Sequence, residues 1–188
     1  EYAAFHYTIY DNPTISRDDI EKLRSNTTAD TWDLEYMAKE SPHAGIVYAE
    51  FSYTNHVKSL ETGSWTLVRG LDWGISHPTA CLWAYVDVKG GKIHIADEFM
   101  RSDLLIDESC RAIARQTGER HVEWSVIDPS TAKRNSHTGR RDLDEFNRNG
   151  ILVIPGDNKD RGYDITKMFF KKNLITIDPK CKNLILQL

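Results

Sequence analysis

Residues 66–98 read TLVRGLDWGISHPTACLWAYVDVKGGKIHIADE, and this stretch decides the fold. It holds three runs of strand length rich in β-branched, aromatic and other apolar residues: Thr66 to Asp72, Thr79 to Val86, and Lys92 to Glu98. Lys89-Gly90-Gly91, between the last two, is a tight-turn signal, so an antiparallel meander is expected. Asp72-Trp73-Gly74 ends the first run, where a glycine lets the backbone leave the sheet with no Cβ in the way.

Downstream, the hydrophobic period changes. Ser102 or Asp103 is placed to cap a helix running to about Gln116, with Ile106, Cys110, Ile113 and Ala114 on one face and Gly118 as its stop. Val122 to Asp128 alternates Val122, Trp124 and Val126 against Glu123 and Ser125, which predicts a fourth strand. A helix near Arg141 to Asn149, a strand from Ile151 to Ile154, a helix near Tyr163 to Lys172 and a strand from Leu174 to Ile177 complete the reading. Three strands followed by alternating helix and strand describe an α/β domain, a mixed sheet with helices on its faces.

Upstream, Thr54 to Ser64 is polar and weakly patterned and reads as a linker, dividing the chain into residues 1–63 and 64–188. The first part is expected to contain a strand from Phe5 to Tyr10 and a turn at Asp11-Asn12-Pro13. A helix after Ser16 with Asp19 at capping-box spacing, a short helix from Trp32 to Met37 and a strand from Gly45 to Phe51 follow. It is too small to be expected to build a large core.

The chain has 188 residues, 40% of them hydrophobic, so a substantial core is within reach and wholesale disorder is excluded. No apolar run approaches the roughly 18 to 20 residues of a bilayer span, and no basic-then-apolar leader opens the sequence. Cys81, Cys110 and Cys181 have no paired spacing, which fits a reducing compartment and argues against a zinc knuckle. The formal net charge of -4 hides an asymmetry. Residues 1–128 carry 12 basic and 21 acidic side chains, whereas residues 129–188 carry 12 basic and 7 acidic. One face meeting a polyanion and a merely solvated basic surface both account for this.

No phosphate-loop, dinucleotide-binding, zinc-protease or serine-hydrolase motif occurs. What remains is carboxylates at strand exits, Asp72 after the first strand and Asp128 after the fourth, as Val126-Ile127-Asp128-Pro129-Ser130. If those strands are parallel and adjacent, the two acids meet where α/β sheets bind ligands. Their repulsion there would be relieved by a divalent cation, and hard oxygen donors suit Mg²⁺ or Mn²⁺. Taken singly, each aspartate reads more simply as a turn cap; as a pair on equivalent exits, cap and metal ligand both stand. Secondary candidates are His77, five residues after Asp72, and Glu98, ending the third strand. Lys133, Arg134, Arg140 and Arg141 flank a polar loop after Asp128 and read either as phosphate contacts or as solvated surface.

Val68 to Ala80, Ile127-Asp128-Pro129, and Ile154-Pro155-Gly156-Asp157-Asn158 through Lys167 together resemble the nuclease domain of tailed-bacteriophage terminase large subunits. Thr8 to Pro13 with the following short helix, and Gly45 to Phe51, resemble the region joining that family's packaging ATPase to its nuclease. The resemblance implies a ribonuclease-H-like fold in which Asp72 and Asp128 bind two divalent metals, Mg²⁺ or Mn²⁺, and cut double-stranded viral DNA during genome packaging. It implies that residues 1–63 are linker and the end of the ATPase region, and that the ATPase itself lies upstream of Glu1. The family's third acid is expected past Leu188, leaving the nuclease domain of residues 64–188 truncated; Asp178, though acidic and late, lacks the matching context. Expected partners are double-stranded DNA, a portal and a small terminase subunit, without a membrane, in the host cytoplasm. The rival readings are a resolvase- or integrase-type nuclease of the same fold and a non-catalytic DNA-gripping module.

Overall fold

The computed structural model describes residues 7–25, 27, 32–38, 47–74, 77–134, 139–157 and 161–188. Two compact units are distinguished, Glu1–Val47 and Tyr48–Leu188. The boundary expected after residue 63 therefore falls after Val47. The reason is packing: Tyr48 and Phe51 set their rings 5.7 and 5.6 Å from that of Phe170, and buried His56 places Nε2 2.9 Å from the Phe170 carbonyl oxygen.

In the first unit, Ile9–Asp11 is a 3₁₀ turn where a strand was expected from Phe5 to Tyr10; residues 1–6 lie outside the described residues. The Asp11 carboxylate accepts from the Thr8 amide and hydroxyl at 2.8 and 2.9 Å, which closes the turn locally and competes with extension. Helix α1 (Arg17–Ser25) starts as expected, with Ser16 Oγ accepting from the Asp19 amide. Trp32–Tyr36 is helical, in π geometry, and buried Trp32 stacks on Tyr36 at 5.1 Å and meets Tyr10 edge-on at 6.3 Å. Of the expected strand Gly45 to Phe51, the described residues 47–51 form bends and turns.

The second unit runs α2 (Tyr53–His56), β1 (Thr66–Asp72), β2 (Thr79–Asp87), β3 (Lys92–Arg101), α3 (Ile106–Thr117), β4 (Trp124–Ile127), a 3₁₀ turn (Pro129–Ala132), α4 (Asp142–Arg148), β5 (Ile154–Pro155), α5 (Arg161–Lys171), β6 (Ile175–Ile177) and α6 (Lys182–Gln187). The sheet order is β5-β4-β1-β2-β3-β6. The expected meander forms, β1 and β3 both lying antiparallel to β2, while β4, β5 and β6 join in parallel. Helix α3 begins at Ile106 rather than at Ser102 or Asp103, because the Glu108 carboxylate reaches back to the Leu105 amide at 2.9 Å.

Each face of the sheet carries a core, and a β-bulge divides them. Between Trp83 and Ala84 the register with β3 slips, pairing Trp83 with Asp97 but Ala84 with Ile95. One extra residue reverses the alternation along β3. Phe99 thus joins Leu71, Cys81, Trp83, Cys110, Ile113, Ile127 and Phe146 on one face, and Ile95 joins Phe170, Ile175, Ile177 and Cys181 on the other. In β4 the buried side chains are Ser125 and Ile127, while Trp124 is 43% exposed, so the alternating pair Trp124 and Val126 is not the strand's core face. Fully buried Phe146 meets Trp73 edge-on at 6.3 Å, tying α4 to the segment after β1. Phe146→Ala should lower the unfolding free energy by about 3–5 kcal/mol in urea denaturation, because it removes a buried ring and leaves a cavity. A loss below about 1 kcal/mol would mean that the core closes over the gap.

Candidate active site

β1 lies between β2 and β4, and its parallel partner β4 pairs Leu71 with Ile127. Asp72 ends β1 and Asp128 immediately follows β4, so the two aspartates leave neighbouring parallel strands, about 4.8 Å apart, at one edge of the sheet. Leu71 and Ile127 face the α3–α4 core, and the alternate positions Gly70, Leu82 and Val126 border a cavity of about 500 Å³ together with Asp72, Asp128 and Asp157.

Asp157 is the residue that the sequence reading did not single out. Strand β5 pairs with β4 in parallel, Ile127 opposite Pro155, and Asp157 emerges two residues later. Gly156 makes this possible: its amide donates to the Ile127 carbonyl at 2.8 Å, and a Cβ there would stand 3.0 Å from Val126 Cγ1. Three adjacent parallel strands thus each release an aspartate into one cavity. The signal was the one already used for Asp72 and Asp128, an acid following an extended apolar stretch.

The local chemistry of the three differs. Asp72 is exposed. Asp128 caps the following 3₁₀ turn: its Oδ1 accepts from the Ser130 amide at 2.7 Å, and its carbonyl accepts from the Thr131 hydroxyl at 2.6 Å. The turn-cap reading of Asp128 is therefore correct in geometry, and it fixes the carboxylate's orientation at the cavity. Asp157 is exposed. Three carboxylates are the hard oxygen donors that Mg²⁺ or Mn²⁺ takes, so the donor set fits either ion in kind. Among the described residues no three His, Cys, Asp or Glu side chains close on one point as a ready-made cage.

The secondary candidates lie elsewhere. His77 is exposed and does not border the cavity. Glu98, on the cavity face opposite Leu82, is taken by α6: its oxygens accept from the Asn183 amide and side chain at 2.8 and 3.0 Å and from the Leu184 amide at 2.8 Å. Asp178 follows β6, three strand spacings or about 14 Å from β1, and accepts from the Lys180 amide. Lys133, Arg134, Arg140 and Arg141 are exposed, and Arg134 and Arg141 form an antiparallel bridge; residues 135–138 lie outside the described residues. Arg140 is 3.5 Å from Glu145, which also pairs with Arg148 at 3.1 Å. The thiols offer no nucleophile, since burial pushes Cys81 and Cys181 up to about 12 and Cys110 up to about 11.

No protein-family model and no curated protein matches this sequence. Solved structures do match. The large terminase of a thermophilic bacteriophage superposes with a TM-score of 0.64 and 17% identity, over 97% of this chain and 46% of that one. This chain therefore spans under half the length of that terminase. The P22 large terminase nuclease domain gives a TM-score of 0.63 with 11% identity, covering 74% of this chain and 75% of that domain. The large terminase nuclease domain of bacteriophage SPP1, solved with bound Mn, gives 0.52 with 17% identity, covering 69% and 71%. A six-stranded mixed sheet in the order β5-β4-β1-β2-β3-β6, flanked by helices, is thus the ribonuclease-H-like fold of phage large-terminase nuclease domains.

Proposed function

We propose that this chain is the nuclease part of a large terminase, a metal-dependent endonuclease that cuts double-stranded viral DNA during genome packaging. The observation that carries the reading is that Asp72, Asp128 and Asp157, at the ends of three adjacent parallel strands, all border one cavity of this fold. The Mn bound in the SPP1 domain supports a divalent cofactor, Mg²⁺ or Mn²⁺. Asp72 and Asp128 would hold it, Asp72 with an exposed carboxylate and Asp128 with one held in place by the Ser130 amide. A pair of such ions, when bound, lowers the pKa of an attacking water and stabilises the leaving oxygen. Lys133, Arg134, Arg140 and Arg141 would grip backbone phosphates beside the cut, with low sequence selectivity. The full-length protein would also carry the packaging ATPase and work in the host cytoplasm with a portal and a small terminase subunit. No helix among the described residues is long and apolar enough to cross a membrane.

Titrating Mn²⁺ into the chain by calorimetry tests this reading. Saturable binding that Asp72→Asn weakens, together with Mn²⁺-dependent plasmid cutting, is the expected result. Mn²⁺ binding indifferent to Asp72 would favour the DNA-gripping module.

Replacing Lys133, Arg134, Arg140 and Arg141 together by Ala should weaken duplex binding equally for all sequences. The salt dependence should flatten by up to about 0.9 in log–log slope per lost phosphate contact. An unchanged slope assigns these side chains to solvent.

A further inference from the structure

Arg69 stands three residues before Asp72 on β1, on the opposite face of the sheet, and is only 8% exposed. An ionised group taken out of water costs several kcal/mol unless it is paired, so a carboxylate is expected beside it. Among the described residues Arg69 has none. Its Nε donates to Ser125 Oγ at 3.0 Å and its Nη1 to Thr117 Oγ1 at 3.2 Å, both neutral. Of the acids on this face, Asp97 lies 3.3 Å from Arg120, and Glu123, half-exposed at the mouth of a cavity beside Arg69, lies 3.3 Å from His121. Thr117 is the last residue of α3, so the guanidinium lies near the negative end of a helix dipole, equivalent to about half a charge, and shares it with Arg120, which donates to the Gln116 and Thr117 carbonyls. Of its five N–H donors, the two hydrogen bonds engage two.

Beside Arg69 opens a second cavity, of about 660 Å³, bordered also by Glu123, Trp124, Ser125, Asn147, Gly150 and Leu152, so among the described residues Arg69 is its one cation and Glu123 its one acid. It is a fork in the sheet. β5 pairs only with Val126 and Ile127, so on that side the chain diverges from Trp124 and Ser125. Asn147 accepts from the Val153 amide at 2.8 Å through Oδ1, which leaves its Nδ2 as a donor. Trp124 and Leu152, 43% and 72% exposed, form an apolar rim.

We propose that this fork is an anion site that takes an oxyanion of phosphate size onto Arg69. The planar guanidinium has donors left for two oxygens, the geometry in which arginine binds phosphate most strongly. An anion there completes the charge that α3 only half supplies. The site lies at the entrance of β4, at the end of the strand away from Asp128, and does not depend on the metal reading.

The test titrates inorganic phosphate into the full 188-residue chain, metal-free and at constant ionic strength in chloride, following backbone amides and arginine Nε–H groups by NMR. Saturable shifts at the Arg69 Nε–H, Ser125 and Asn147 are expected. Arg69→Met should weaken binding about tenfold or more, as loss of a charge-assisted hydrogen bond predicts. Ser125→Ala keeps the cation and should still bind phosphate, which covers the case in which Arg69→Met does not fold. A short DNA duplex that displaces the phosphate supports a backbone phosphate as the source; phosphate indifferent to duplex supports a free one. Shifts confined to Lys133, Arg134, Arg140 and Arg141, or no saturable shifts, would overturn the site and leave Arg69 as a peg neutralised by α3 alone.

Discussion

Asp72→Asn should reduce Mn²⁺-dependent cleavage by more than about 100-fold, beyond the 10–100-fold that loss of a metal's outer hydrogen-bond partners typically costs. The substitution keeps the shape and removes the charge. Because Asp72 is exposed at the end of β1, the variant should unfold at the same urea concentration as the parent, so lost activity cannot be lost structure. Glu98→Gln supplies the contrast. Its carboxylate accepts three hydrogen bonds from Asn183 and Leu184, so this variant should lose stability while its cutting persists. If Glu98→Gln abolished cleavage with stability intact, or Asp72→Asn still cut, the assignment of the site would be wrong.

These two acids also measure how far the sequence could be read. Asp72 was legible because strand β1 is long, sits mid-sheet and shows its pattern from Thr66 onward. Glu98 ended an equally clear run, but its partner is α6, six residues with too little pattern to be expected. The bulge in β3 was hidden for a related reason. Ile93, Ile95 and Phe99 keep a period of two in sequence, and only the pairing with β2 shows that Ile95 and Phe99 serve different cores. In the first unit, Thr8 to Asp11 has strand-like residues, yet local hydrogen bonds to the Asp11 carboxylate win over extension. β-branched content is a weak force where no neighbouring strand is available to pair.

Asp157 was missed because the strand expected from Ile151 to Ile154 ended three residues before it, whereas β5 forms as Ile154–Pro155 and brings its exit closer to Asp157. Its position leads to the second large expectation. Two divalent ions bring four positive charges, against two negative ones from Asp72 and Asp128, or three if Asp157 joins them. The chain should accordingly hold one Mn²⁺ firmly and a second only weakly before a DNA phosphate adds its charge. Asp157→Asn should then weaken Mn²⁺ binding about tenfold or more, with little effect on stability since the side chain is exposed. The rival placement of the third ligand is past Leu188, where the family resemblance puts it. A longer chain decides between them: if it binds Mn²⁺ more tightly while Asp157→Asn changes nothing, the third ligand lies beyond Leu188. If the 188-residue chain already matches the longer one and Asp157→Asn lowers both affinity and cutting, the three strand exits suffice.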